Sequence, residues 1–411
     1  YVEKSLPGLE KELVEPLSSV KAGVLAAAFL SKNHDGNLST ARLKIIDFCQ
    51  PKPANLTDQE RQEIKEKIGI ENEKLTEERF RSIVRFPIFL LHVLKLFAAF
   101  NQIEILKKIR IEDSRLLESY ESLLELMDRD SEKKLALDFF EFLLKTRILF
   151  DENIIRFHMQ SDEPPRHEIA RIKTIKSQIA DPWDRYVRSI DKGDPCYAQL
   201  AMVQGMLNAS TQSEHWLTPF LAWILGQSYC KTDTHLTHWL EGLDTHLAAA
   251  RLANLRLIDC ADELISRPSQ DEWCGQKFVV LDASSLKREL NRGTSTERYW
   301  FFRLDYFLWK GRSKFFEGIS KEFSRFVDNF QFRQNRSVEH ISPQNPDENE
   351  YHLDIDDLNG FGNLALISAE SNSSFGNKHP AIKCGFFKAR AKEICYFESL
   401  KLAYFYELKI D

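Results

Sequence analysis

The chain has 411 residues, room for two or three domains with substantial cores, and is 43% hydrophobic and 29% charged, as ordinary globular proteins are. A net charge of −6 excludes a molecule that holds nucleic acid by its overall charge, so any such binding must come from local charge segregation. The seven cysteines are scattered with no Cys-x-x-Cys pair, which argues for reduced thiols in a cytoplasmic protein and against a structural zinc ribbon.

In chain order, residues 1–290 read as an irregular α-helical array. A helix is expected around Val20–Leu30, and Pro51-Lys-Pro53 then breaks the chain. Thr57-x-x-Glu60 is a capping box opening a polar helix through Ile68. The most apolar run, Phe86–Phe100, is too short to span a bilayer and contains His92 and Lys95, so it reads as a buried core helix begun by Pro87. Asp113 is placed to cap a helix whose buried face is Leu116, Leu117, Tyr120, Leu123, Leu124 and Met127. A second helix from Ser131 puts Leu135, Phe139, Phe142, Leu143 and Thr146 on one side, and the run Arg147–Ile155 leads into a polar loop near Pro164-Pro165. From Ile172 to Leu257 the pattern is again helical, with loops at Asp194-Pro195 and Thr232–Thr234. Thr294-x-x-Glu297, a second capping box, and Gly311 bracket a helix over Ser295–Lys310. Its aromatic load suggests burial between the array and the C-terminal residues, so a boundary falls near residue 290 and residues 291–411 form a second domain.

The informative stretch runs from Ser337 to Lys378. Val338 and Ile341 flank Glu339-His340 as in a short strand, which Pro343 ends because it has no N–H for a ladder. An acidic loop, Asp347–Asp357, comes next, and then Gly362-Asn-Leu-Ala-Leu-Ile367 supplies a second apolar run. Glu370-Ser-Asn-Ser-Ser-Phe-Gly-Asn-Lys378 leads into a helix. The pattern is strand, loop, strand, helix, with Glu339, His340, Asn363 and Asn372 at the turning points.

This arrangement resembles the ββα-metal fold of HNH endonucleases. More narrowly, Glu339-His-Ile-Ser-Pro-Gln344, Gly362-Asn-Leu-Ala-Leu-Ile-Ser368 and Ser371-Asn-Ser-Ser-Phe-Gly-Asn-Lys378 are similar to the nuclease domain of GmrSD-type modification-dependent restriction enzymes. The helical segments Arg85–Phe97, Arg147–Phe157 and Ala201–Leu225 resemble, less specifically, the helical linker of such proteins. The resemblance implies a mainly α chain, a helical platform carrying a small C-terminal ββα-metal domain. It implies a metal-dependent DNA endonuclease or nickase serving restriction of foreign or modified DNA. It makes His340 the general base, Glu339 and Asn372 the metal ligands, and Asn363 the residue that ties the loop and orients His340. Glu339 stands where the family usually has Asp, and Asn372 where many members have His. The same resemblance implies double-stranded DNA as partner, together with an NTP-hydrolysing, modification-sensing domain whose motif this chain lacks.

The chemistry accounts for these residue types. Phosphodiester hydrolysis needs a deprotonated water, a cation on the phosphate oxygens and help for the leaving oxygen. A neutral imidazole takes the proton, and one carboxylate plus one amide oxygen suits a hard ion, Mg²⁺ or Mn²⁺, while leaving room for phosphate and waters. A buried structural His340 is the plain alternative, and with it a helical interaction module whose nuclease-like domain is inactive. Nine basic residues against four acidic ones lie between Arg298 and Arg336, and more follow Lys378, so the motif is bracketed by positive charge. Arg333, Arg336, Lys378 and Lys383 are the candidate DNA-backbone contacts, the alternative being a solvated helix face. His235, His238 and His246 share a helical segment without a completing ligand, and neither Gly-x-x-x-x-Gly-Lys-Ser/Thr nor Gly-x-Gly-x-x-Gly occurs.

Overall fold

The computed structural model describes residues 79–104, 109–125, 132–160, 163–175, 185–189, 195–209, 214–227, 232–265, 283–333, 337–346 and 353–408. The helices expected at Val20–Leu30 and Thr57–Ile68, the acidic residues 347–352 and Arg336 fall outside the described residues. Within them the protein is mainly helical, with three small antiparallel sheets.

Strand β1 (Arg79–Ser82) precedes helix α1 (Phe86–Phe100), which has Pro in its first turn and buries every residue from Leu91 to Ala98. A helix apolar on all sides belongs in a core, and its two ionisable residues are partnered there. His92 Nδ1 lies 2.6 Å from Thr218 Oγ1, and Lys95 Nζ lies 2.6 Å from an Asp262 oxygen. Helices α2 (Leu116–Glu125) and α3 (Glu132–Asn153) pack on α1. Asp113 does not cap α2: it opens a 3₁₀ turn and forms an ion pair with Arg85, while Leu117 faces solvent.

The first 290 residues are not wholly helical. Strands β2 (Arg156–Gln160) and β3 (Glu163–Glu168) join β1 in the order β1-β2-β3. The segment expected to continue as helix after Ile172 begins with a hairpin, β4 (Arg171–Ile175) and β5 (Arg185–Ser189). These strands are four to six residues long, too short for periodicity to separate them from helix. Pro164-Pro165 sits within β3, close to an irregularity in its pairing with β2, where a residue without an N–H is tolerated.

Helices α4 (Pro195–Leu207), α5 (Leu217–Gly226), α6 (Asp233–Leu252) and α7 (Leu257–Ile265) complete the first part, with Trp223 and Trp239 stacked at 4.9 Å. Next come α8 (Ala283–Leu290), α9 (Arg298–Lys310), α10 (Arg312–Phe315) and α11 (Lys321–Asp328). Helix α9 starts three residues later than the capping box suggested. Thr294 lies in a 3₁₀ turn, and Glu297 occupies the N-cap without a capping side-chain bond. The last elements are β6 (Ser337–His340), α12 (Ile355–Leu358), β7 (Leu364–Ile367), α13 (Ala369–Phe375), α14 (Pro380–Ile394) and α15 (Leu400–Leu408).

Helix α9 joins the two parts. On one side Tyr299 Oη donates to Asp244 Oδ1 at 2.5 Å, Arg303 Nε to Asp244 Oδ2 at 2.9 Å and Tyr306 Oη to Glu241 Oε1 at 2.6 Å, fastening it to α6. On the other, Asp305 Oδ1 accepts the Lys401 N–H at 2.8 Å, and the rings of Phe301 and Phe361 lie 4.7 Å apart. The C-terminal part also reaches the first sheet, since His167 N donates to Phe332 O at 3.1 Å. The buried apolar residues accordingly form one cluster from Val84 to Tyr406, continuous through the region near residue 290. No helix among the described residues is long and apolar enough to cross a membrane.

Candidate active site at the end of a strand

β6 and β7 pair antiparallel, Ser337 opposite Ile367 and His340 opposite Leu364. Leu364–Ile367 is buried at every position, as a continuous apolar run predicts, and α9 packs on it. Each such aliphatic side chain contributes about 1.5–3 kcal/mol relative to exposure, so the hairpin is a rigid base. α13 follows directly, N-capped by Ser368, whose Oγ accepts Ser371 N at 3.1 Å and donates to Glu398 Oε1 at 2.8 Å. α13 packs against β6, so strand, loop, strand and helix occur in the expected order.

The loop between the strands is fixed by Asn363. Its Oδ1 accepts Ser342 N at 2.7 Å, and its Nδ2 donates to Ser342 O at 3.1 Å and to Leu358 O at 2.9 Å. Ile341 N adds a bond to Asn363 O at 2.8 Å, so the chain leaving β6 is clamped to the chain entering β7.

His340 is buried at the end of β6. Its Nε2 lies 3.4 Å from Asn359 Oδ1, at the long end of the hydrogen-bond range. The residue touching the imidazole is Asn359, while Asn363 holds the backbone just after His340. Nothing in the motif pointed to Asn359; it sits in the loop, just past α12, where spacing carries no signal. Its Nδ2 donates to Ile355 O at 3.2 Å, which turns Oδ1 toward the ring. An amide oxygen only accepts, so this bond forms in the tautomer that carries the hydrogen on Nε2 and the lone pair on Nδ1. Burial lowers the His340 pKa and the nearby Lys383 ammonium adds to that, while the Asn359 bond works in the other direction.

Glu339, also buried, meets Lys383: Lys383 Nζ donates to Glu339 Oε1 at 2.5 Å and to the His340 carbonyl at 2.6 Å. Burial raises the Glu339 pKa, with the lysine pulling it the other way. Asn372, on α13, is half-buried. Lys383 is 1% exposed and Arg333 6%, with Arg333 Cζ 3.6 Å from the Tyr396 ring centroid. Both candidate DNA contacts are thus buried in this structure. Their place in a run of basic residues hid the fact that one neutralises a buried carboxylate and the other covers an aromatic ring. Lys378 is exposed, its Nζ bonded to Ser374 O at 2.6 Å. Along α6, Asp233 pairs with Arg171 at 2.5 Å and His235 Nδ1 lies 3.1 Å from Thr232 Oγ1.

Among the described residues no group of three or more His, Cys, Asp and Glu side chains gathers to hold a metal. By residue type, a Glu339 carboxylate and an Asn372 amide are oxygen donors of the kind that suit a hard ion that keeps several waters and takes substrate phosphate, and do not suit a closed protein cage.

A short hairpin with a histidine at its strand end and a helix packed across it is thus the feature that the C-terminal part of the chain builds. Residues 282–401 match the family model described as GmrSD restriction endonucleases, C-terminal domain. Comparison of the chain with curated proteins and with solved structures gave no match.

Proposed function

We propose that the chain is a metal-dependent DNA endonuclease or nickase of the HNH type, acting in restriction of foreign or modified DNA from a cytoplasmic location. The observation that carries this reading is the His340–Asn359 pair at the end of β6, within the residues that match the restriction endonuclease family.

Nδ1 of His340 is the nitrogen able to take a proton from water, because Asn359 fixes the hydrogen on Nε2. Asn363 holds the loop that presents the ring, and Glu339 and Asn372 would hold the divalent ion, Mg²⁺ or Mn²⁺. When bound, such an ion stabilises charge on the phosphate and the leaving oxygen. Lys378 is the exposed candidate, among described residues, for a DNA-backbone contact. Recognition of modified DNA belongs, on this reading, to an NTP-hydrolysing domain or subunit outside this chain. A plasmid assay tests the proposal: incubation with Mg²⁺ should convert supercoiled DNA to nicked or linear forms, and EDTA should abolish it. Equal conversion with and without EDTA, or none with Mg²⁺ or Mn²⁺, would refute it and leave the helical interaction module.

A further inference from the structure

Lys383 has no part in the hydrolytic scheme, and its bond to Glu339 is unusual for a carboxylate expected to hold a metal. Lys383 rises from the first turn of α14 into the space between helix and hairpin, and its ammonium is bonded to Glu339 Oε1 and to the His340 carbonyl. Its side chain is 1% exposed and that of Glu339 7%. A group so enclosed neither touches a phosphate nor exchanges freely with solvent. The cation at Glu339 is, in this structure, the lysine.

We infer that Lys383 is a resident cation of the site, bonded to the carboxylate that would hold a divalent ion, so that metal and lysine compete for one carboxylate. This rests on the reading of Glu339 as the carboxylate of the metal site. Two cations within contact of one carboxylate repel each other, and the repulsion is large because burial removes the water that would screen it. The lysine also anchors the backbone between the two candidate residues through the His340 carbonyl, so its displacement would reach the strand end. The consequence is a weak intrinsic metal site, one that needs the further ligands a bound phosphodiester brings.

The test is a titration of the full chain with Mn²⁺ in the absence of DNA, following free Mn²⁺ by electron paramagnetic resonance. Lys383→Met keeps the side-chain bulk and removes the competitor. It should bind Mn²⁺ at least about 10-fold more tightly than the parent, within the usual range of coupling between two sites. The double variant Glu339→Gln/Lys383→Met should lose that gain. Equal or weaker binding by Lys383→Met, or a gain that survives in the double variant, would overturn the inference. Should Lys383→Met be unfolded because its carboxylate is left bare, Mn²⁺ should restore its helical circular dichroism, and a failure to do so would equally overturn it. Because no DNA is cut in this experiment, its outcome is separate from that of the nuclease assay.

Discussion

Asn363 grips Ser342 with both ends of its amide, accepting from the Ser342 N–H at 2.7 Å and donating to the Ser342 carbonyl at 3.1 Å. A side chain here does what a strand partner does elsewhere, and it does so at the point where β6 ends and the loop begins. Asn363→Ala removes these two bonds and a third to Leu358 O. At about 1 kcal/mol each, the expected loss is about 2–3 kcal/mol, read as a lower urea midpoint at unchanged slope. Asn363→Ala with the parental midpoint would contradict this account of the loop.

Asn359 has a different signature, since its bond is to the imidazole. Asn359→Leu should lower the cleavage rate about 5- to 10-fold, the worth of one such bond, with DNA affinity unchanged. Asn359→Asp still offers an oxygen to Nε2–H and should recover most of the rate. A leucine variant as fast as the parent would mean that the ring is held by its packing alone.

The link through α9 can be tested away from the site. Asp244 is 1% exposed and receives both Tyr299 and Arg303, so Asp244→Ala leaves a buried hydroxyl and a half-buried guanidinium without it. A loss of about 3–5 kcal/mol is expected, against a much smaller loss for Asp244→Asn. Thermal unfolding of the two variants decides between this and a surface-like effect below about 0.5 kcal/mol.

Acid should destabilise the protein through its enclosed histidines. Burial lowers His167 from 6.5 to about 4, and His92 to about 3. Both are neutral when folded, whereas in the unfolded chain they take a proton below about 6.5. Between these values the unfolded state binds more protons, so the stability they confer is intact above 6.5 and falls as pH drops toward the folded value. For His167 alone the loss by pH 5 is about 2 kcal/mol. Urea midpoints at pH 7.5 and 5 measure this, and His167→Phe should reduce the difference.

How much of this was legible in the sequence differs by residue. The order of β6, β7 and α13 could be read because Pro343, Gly362 and the Ser/Asn segment punctuate short apolar runs, and such punctuation is local. Helix α1 was legible because a Pro followed by a long, mostly apolar run has few other destinations. Strands β2 to β5 were not, because runs of five or six residues are too short to tell a period of two from one of 3.6. The burial of Lys383 was not legible because charge in a sequence says nothing about direction: one residue of helical rotation turns a solvent cation into a buried counter-ion. Asn359 was missed because a contact across nineteen residues is set by the loop's path, and nothing in the sequence marks it.

If the end of β6 is a hydrolytic site with His340 as its base, one measurement reaches it most directly. His340→Ala should cut supercoiled plasmid at a rate lower by at least about 10²-fold in Mg²⁺, the smaller end of what general-base catalysis contributes. Its DNA affinity and melting temperature should stay close to the parent's, because the imidazole makes one hydrogen bond, and a long one. A His340→Ala protein that cuts plasmid as fast as the parent would contradict the assignment and make His340 a residue of structure alone.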